Sequence, residues 1–248
     1  MKMREMVCVF AGAVLLACGC PAADVTADVT EPKETVVLLH GLNRTPRAMA
    51  ALERDLGAAG YAVVNCGYPS RTADIATLAA NVFATLAPKI EGAATVHFVT
   101  HSMGGVLLRV HLRDHALPNL GRVVMLAPPN GGSEVVDRLA RLAPFHWING
   151  PAGSQLGTGA GSIPLGLCAV PFELGVIAGD RSVNPLLSML IPGRDDGKVA
   201  VARTRVEGMR DFLCLHVTHP FMMRNRQVIR QTKHFLKTGC FQMARLSS

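Results

Sequence analysis

The chain has 248 residues, which is long enough for one well-buried domain, and its 49% hydrophobic and 17% charged residues support a large core. The formal net charge is +7, which favours approach to anionic membranes or substrates. The basic residues are spread out and no nucleic-acid-binding motif accompanies them, so nucleic acid is excluded as an expected partner.

The first residues are predicted to be a targeting segment outside the fold. Lys2 and Arg4 supply positive charge, and residues 7–17 form an apolar run that is too short to span a bilayer easily. We therefore predict a signal peptide over residues 1–23 and a polar tether over residues 24–34. The protein is expected to be exported to the cell envelope, the periplasm or the medium.

Cys18 leaves two alternatives for this leader. The segment from Leu15 to Cys18 resembles a bacterial lipoprotein cleavage box, in which Cys18 becomes a lipidated first residue that holds the protein at a membrane. Cys20 offers a second position for the same modification, and ordinary cleavage near Ala22 or Ala23 is the other alternative. Lipid anchoring and plain secretion both remain open.

Four further cysteines lie in the body of the chain, at Cys66, Cys168, Cys214 and Cys240. An exported compartment permits disulfides, but the spacing of these four neither determines a pairing nor matches a metal site. Cys66 and Cys214 fall in strand-like runs, where a buried free thiol is the simplest interpretation.

Strand-like apolar runs alternate with helical segments along the body of the chain. The strand-like runs are 35–39, 61–66, 95–100, 122–127, 174–178 and 212–217. The helical segments are 46–59, 72–90, 103–115, 133–143 and 221–237. This alternation is typical of an α/β domain, here over 35–240, with a mostly parallel sheet and helices on both faces. Active sites in such sheets form at the carboxyl ends of the strands.

The first strand-like run, residues 35–39, is continuously apolar, as expected for a parallel strand buried on both faces. It ends in a His40-Gly41 pair followed by Leu42. Gly41 has no side chain, so the backbone at this point can approach another group closely.

A serine follows the third strand-like run and precedes an apolar helix. The segment Thr100-His101-Ser102-Met103-Gly104 is the pattern of a nucleophile elbow, a tight turn that projects the serine hydroxyl above the sheet. Gly104 lets the following helix pack closely. Thr100 departs from the usual pattern, which has a glycine there, because a β-branched residue crowds a tight turn.

Four segments resemble those of bacterial lipases and esterases of the α/β-hydrolase superfamily. They are 36–42, 61–70, 96–105 and 122–133. The resemblance implies the α/β-hydrolase fold and hydrolytic chemistry, without specifying a substrate. It also implies an oxyanion hole made by the backbone N–H groups of Leu42 and Met103.

The serine requires a histidine as its base, and in this fold the histidine comes last in the chain order, after the acid. Two of the nine histidines, His216 and His219, remain as candidates once chain order and helix positions are considered. His219 is preferred because Pro220 favours an extended loop there, from which the ring can hang above the sheet edge. His216 falls within or at the end of the strand, where a structural role is more common.

Three aspartates are candidates for the acid that orients this base. Asp196 lies in an Asp-Gly-x-Val stretch that resembles the acid turn of bacterial lipases, and it is preferred. Asp180 ends a strand-like run and is the main alternative, although it could instead cap the following turn. Asp195 could serve as the acid or hold the turn through side-chain-to-backbone bonds.

Residues 144–173 have many glycines and no sustained helical period. A stretch of this length without secondary structure is often functional. Two interpretations stay open. It is either a lid-like insertion whose apolar residues line a pocket, or a surface excursion packed on the core. The apolar residues concerned are Trp147, Ile148, Leu156, Ile163 and Leu165.

The predicted function is cleavage of carboxylic esters, of lipids or other apolar acids, through Ser102, Asp196 and His219 and an acyl-enzyme. No metal or organic cofactor is expected. The alternatives are a thioesterase, amidase or acyltransferase with the same residues, or a non-catalytic binding protein anchored to the envelope. The expected partner is a small-molecule or lipid ester, with membrane association through an N-terminal lipid if Cys18 is modified. The oligomeric state is left open.

Overall fold

The computed structural model describes residues 34–242. The predicted signal peptide with its Cys18, and the predicted tether up to residue 33, lie outside the described residues, as do the last six residues.

In the part of the chain that the structure describes, six strands form one sheet in the order β2-β1-β3-β4-β5-β6, and every neighbouring pair is parallel. The strands are β1 (Thr35–Leu39), β2 (Ala62–Cys66), β3 (Val96–His101), β4 (Leu120–Leu126), β5 (Leu174–Gly179) and β6 (Asp211–Leu215). Each one falls on a predicted apolar run, so the predicted parallel sheet is confirmed. β3 lies inside the sheet between β1 and β4, which places the residue after it at the centre of the carboxyl edge.

Within residues 34–242, eight α-helices connect or flank the strands. They are α1 (Ala50–Gly57), α2 (Ile75–Ile90), α3 (Met103–Asp114), α4 (Glu134–Leu139), α5 (Ala143–Ser154), α6 (Pro185–Ser188), α7 (Val201–Thr204) and α8 (Arg226–Thr238). Local capping sets several ends. Asp74 accepts a hydrogen bond from Thr77 N at the start of α2, and Gly239 ends α8 in a left-handed conformation with φ 78°.

The sheet is covered on both faces, as the alternation in β1 illustrates. Val37 and Leu39 pack with α2 and α3, whereas Val36 and Leu38 pack with α1 and α8 on the other face. All four are fully buried, because successive side chains of a strand point to opposite faces. The prediction of helices on both faces is therefore confirmed.

One prediction of secondary structure was wrong. Residues 143–154 form α5, although the stretch from 144 onwards had no helical period. The helix is kinked at Gly150, which has φ 64°, and Pro151 begins its second half. A side chain at Gly150 would lie 2.0 Å from the carbonyl oxygen of Arg71, so the glycine that suggested a loop is needed for close packing.

Within residues 34–242, no helix combines the length and apolar character needed to cross a membrane. The four cysteines of this region are not disulfide-bonded to one another. Cys66 is buried and Cys214 half-buried, in agreement with the simple interpretation of free thiols in strands.

Candidate active site

Ser102 occupies a strained turn between β3 and α3. Its backbone has φ 53° and ψ −124°, a conformation that residues with a side chain rarely adopt. The turn is held because Ser102 N donates to Leu126 O at 2.8 Å. Gly104 is required two residues later, since a side chain there would lie 2.7 Å from Leu39 O. The result is a half-buried serine at the carboxyl edge of the sheet and the N-terminus of a helix.

Thr100 fits beside this turn because its neighbour is small. Its side chain is fully buried and faces Gly105, where a β-carbon would lie 3.1 Å from Thr100 Oγ1 and from Met125 Sδ. In the usual pattern a glycine at the position of Thr100 provides the space for the turn. Here Gly105, the second glycine after Ser102, provides it instead. The crowding expected from a β-branched residue is thereby avoided.

The strain at Ser102 leads to a stability prediction. Ser102→Gly should raise the unfolding free energy by about 1 kcal/mol relative to Ser102→Ala. Glycine adopts φ 53° without an energetic penalty, whereas alanine at this angle retains the backbone strain. Both variants lack the hydroxyl, so the difference between their unfolding free energies reports the backbone strain alone. Thermal unfolding should show a melting temperature about 2–4 °C higher for the glycine variant. Equal melting temperatures would contradict strain at this turn.

Two backbone N–H groups next to Ser102 are free to bind an anion. Met103 N is the first amide of α3, and Leu42 N lies in the loop after β1; neither donates to another residue within the described chain. Gly41 lets the two loops meet, since a side chain there would lie 3.1 Å from Ser102 Cβ. Leu42 and Ser102 line the same cavity.

His40 and Tyr68 support the loop that carries Leu42. The two rings stack with centroids 4.0 Å apart and an interplanar angle of 6°. His40 Nδ1 donates to Gly41 O at 2.9 Å, and the Tyr68 hydroxyl donates to His40 O. Burial lowers the pKa of His40, and its Nε2 accepts a hydrogen bond from Tyr68 N at 3.4 Å, as only a neutral ring can. Neither residue was identified from the sequence as a support.

His219 and Asp196 form a buried pair. His219 Nδ1 lies 2.7 Å from Asp196 Oδ2, and both side chains are almost fully covered. The backbones are joined as well, because His219 N donates to Asp196 O at 3.0 Å. Nδ1 therefore carries the proton toward the carboxylate, and Nε2 is left without a partner among the described residues. His219 lies in the loop after β6 and lines the cavity that contains Ser102.

The second oxygen of Asp196 is used by its own turn. Oδ1 accepts hydrogen bonds from Lys198 N at 3.0 Å and Val199 N at 2.9 Å. Gly179, the last residue of β5, makes room, since a side chain there would lie 3.0 Å from Asp196 Cβ. Both carboxylate oxygens thus have hydrogen-bond partners, and these bonds hold the group in one orientation, with Oδ2 toward His219.

The other two aspartates have different partners. Asp180 Oδ1 lies 3.0 Å from Nδ1 of the exposed His216, and its Oδ2 accepts a hydrogen bond from Arg194. Burial raises the pKa of Asp180, but the hydrogen bonds from Arg194 and His216 outweigh it and leave that pKa below its usual value. Asp195 Oδ1 accepts from Ser188 Oγ and Gly197 N, which holds the turn.

His101 supports the loop of His219 through a hydrogen bond to its backbone. Its Nε2 donates to His219 O at 3.1 Å, and the two rings lie 4.7 Å apart. Burial lowers the pKa of His101 well below its usual value, with the nearby His219 adding to the effect. His101 is therefore a neutral hydrogen-bond donor that connects the turn of Ser102 with the loop of His219. Chain order had excluded it as the base, and its support role was not predicted.

The cavity in front of Ser102 has a volume of about 70 Å³. Its lining is apolar on the side of α4 and α5 and includes Val135, Val136, Phe145 and Leu156. Of the five apolar residues predicted to line a pocket, Leu156 lines this cavity, whereas Trp147, Ile148, Ile163 and Leu165 do not, and Trp147 is 87% exposed. Gly153 allows α5 to lie against the loop of Leu42, because a side chain there would lie 3.2 Å from Leu42 Cδ2.

Comparison with known proteins identifies the fold. No protein-family model and no curated protein sequence matches the chain. The mature lipase BlEst2 of Bacillus licheniformis is similar in structure with TM-score 0.63 at 19% identity, over 83% of this chain and 93% of that one. The chain has the α/β-hydrolase fold. The metagenomic carboxyl esterase MGS0156 has the same architecture with TM-score 0.54 at 20% identity, over 77% of this chain and 66% of that one.

A third structure shares the α/β-hydrolase fold within a longer protein. The phospholipase PlaB of Legionella pneumophila, in complex with thio-NAD, has TM-score 0.65 at 17% identity, over 81% of this chain and 56% of that one. Among residues 34–242, no cluster of three or more His, Cys, Asp or Glu side chains is arranged to hold a metal ion.

Proposed function

We propose that the protein is a serine hydrolase that cleaves carboxylic esters of apolar acids. The observation that carries the proposal is the buried Asp196–His219 pair, which opens on the same cavity as Ser102. A serine hydroxyl is a weak nucleophile until a base takes its proton, and a carboxylate on the far side of the imidazole holds the required tautomer.

In the proposed reaction, Ser102 Oγ attacks the acyl carbon and His219 Nε2 takes its proton. The negative charge that develops on the carbonyl oxygen is stabilised by the N–H groups of Leu42 and Met103, which have no other acceptor among the described residues. His219 then protonates the leaving alcohol. Water, activated by the same histidine, hydrolyses the acyl-enzyme and restores Ser102.

The acyl group is assigned to the apolar side of the cavity. The aliphatic and aromatic residues on this side include Val136, Phe145 and Leu156. The volume of about 70 Å³ compares with roughly 10–15 Å³ for one ordered water, so a short acyl chain fits without movement of α5. The structural neighbours are described as a lipase, a carboxyl esterase and a phospholipase, which supports ester hydrolysis as the general class.

A fluorophosphonate probe tests the proposal directly, because it reacts only with an activated serine. We expect labelling of one residue, Ser102, identified by peptide mapping. Ser133 provides a matched control: it lines the same cavity, but its hydroxyl donates to Lys198 O at 2.7 Å and has no histidine partner. The label should disappear in Ser102→Ala and remain in Ser133→Ala.

The same experiment separates the proposal from a non-catalytic binding protein with this fold. If the native protein is not labelled, or if the label persists after Ser102→Ala, the assignment of Ser102 as the nucleophile is refuted. Release of p-nitrophenol from p-nitrophenyl butyrate by the native protein provides an independent measure of ester cleavage.

A further inference from the structure

Two cationic side chains line the cavity of Ser102. Arg44 lies two residues after Leu42 on the loop that follows β1, and Lys198 lies two residues after Asp196 on the turn of the proposed acid. Both loops are held by bonds to the core of the site. Each cation is therefore attached to a loop that the proposed reaction itself requires.

Neither cation has a hydrogen-bond or ion-pair partner among residues 34–242. The Arg44 guanidinium and the Lys198 ammonium make no hydrogen bond or ion pair with any described residue, and no described Asp or Glu side chain lines the cavity. Several other arginines are paired with carboxylates, such as Arg122 with Glu173 at 2.8 Å and Arg203 with Glu134 at 2.7 Å. The two unpaired cations thus lie next to the reacting centre.

The two charges are close enough to affect each other. Lys198 is solvent-exposed at the rim of the cavity. Burial and then the neighbouring charge of Arg44 lower the pKa of Lys198, and the charge of Asp196 opposes them to a smaller extent. Holding like charges together in a partly desolvated cavity is unfavourable. An anion bound between them would reverse this cost and would form charge-assisted hydrogen bonds with both.

Arg44 also lines a second groove. That groove follows the segment 68–72, shares Arg44 with the cavity and is lined also by Asn43, Ser70, Arg71 and Thr72, with no described carboxylate in its wall. The cavity itself therefore combines apolar residues of α4 and α5 with the two cationic side chains.

We propose that Arg44 and Lys198 form a subsite for an anionic group, a phosphate or a carboxylate, in the alcohol part of the ester substrate. This inference rests on the proposed function, since it assigns the leaving alcohol of the same reaction. Arg44 supplies a planar set of donors suited to a pair of anion oxygens, and Lys198 supplies a point charge.

Matched neutral and anionic butyrate esters test the subsite. The pairs are 1-butyrylglycerol with 1-butyrylglycerol 3-phosphate, and methyl butyryloxyacetate with butyryloxyacetate, so that phosphate and carboxylate are distinguished. We expect a higher kcat/KM for the anionic member of at least one pair. Arg44→Gln and Lys198→Gln should each lower the anionic-to-neutral ratio about tenfold, because each removes a charged hydrogen-bond donor.

Arg47→Gln is the control, since Arg47 is exposed and nearby but lines neither the cavity nor the groove. The ratio should be kept in this variant. The proposal is overturned if the native protein does not prefer the anionic esters, or if the preference survives both Arg44→Gln and Lys198→Gln. It is also overturned if Arg47→Gln lowers the anionic-to-neutral ratio equally, because the overall positive charge of the protein would then explain the preference.

A binding measurement separates this inference from the proposed function. Inorganic phosphate should bind to the Ser102→Ala protein, by calorimetry, and should fail to bind when Arg44→Gln and Lys198→Gln are added. If no ester is cleaved but phosphate binds in this way, the proposed function fails and the subsite stands. If esters are cleaved without an anionic preference and phosphate does not bind, the subsite alone fails.

Discussion

Ser102→Ala is expected to lower kcat for ester hydrolysis by about six orders of magnitude, which is the cost of removing the nucleophile from a Ser-His-Asp site. The fold should survive, because the Ser102 hydroxyl makes no hydrogen bond with a described residue and its loss leaves almost no cavity. The measurement is the rate of p-nitrophenyl butyrate hydrolysis, with circular dichroism to show that the purified variant is folded.

Trace contamination by host esterases limits this measurement, so the variant and the native protein should be purified in parallel and titrated with a fluorophosphonate. Ser133→Ala is the matched control, since it removes a hydroxyl from the same cavity and costs about one neutral hydrogen bond. Near-native turnover in a Ser102→Ala preparation that takes up no label would refute the proposed mechanism.

Asp196→Asn is expected to lower kcat about 10⁴-fold, as loss of the correct imidazole tautomer does in serine proteases. The physical reason lies in the turn. Asp196 Oδ1 accepts two backbone N–H bonds, from Lys198 and Val199, so the amide oxygen of Asn must take that place. Its NH₂ group then points at His219 Nδ1 and donates to it. The proton is forced onto Nε2, where it blocks the base.

Asp180→Asn is the matched control for this prediction. Asp180 also bonds a histidine, but its partners His216 and Arg194 are exposed, and a surface ion pair contributes little. We expect a small change in kcat. A large loss in Asp180→Asn together with a small one in Asp196→Asn would transfer the acid role to Asp180. In a His219→Ala background, Asp196→Asn should add little, because residues that act as a unit are not additive.

Much of the fold was predictable because the information is local. A strand buried on both faces must be apolar along its whole length, and β1 and β3 therefore stand out in the sequence. The strained turn at Ser102 is also local, since it depends on the residues between β3 and α3 and on the small Gly104. The helix α5 was missed because its glycines serve packing against Arg71 and Leu42, a contact between segments far apart in the chain.

Local pattern favoured Asp196 over Asp180 and Asp195 as the acid, but it did not determine which carboxylate contacts His219. Asp180 and Asp196 both follow structured segments, and both bond a histidine in the folded chain. Their difference lies in burial, which depends on how the loops after β5 and β6 pack. The supports from His40, Tyr68 and His101 were missed for the same reason, although a histidine adjacent to the serine is visible in the sequence.

The sequence by itself determined the approximate positions of the six strands along the chain, the parallel sheet and the position of Ser102 at its carboxyl edge, because these follow from hydrophobic periodicity and short-range sterics. Only the tertiary structure decided which aspartate meets His219, that α5 covers the cavity, and that Arg44 and Lys198 converge there. Such contacts join loops from different strands, and their geometry is set by the packing of the whole domain, which no single segment encodes.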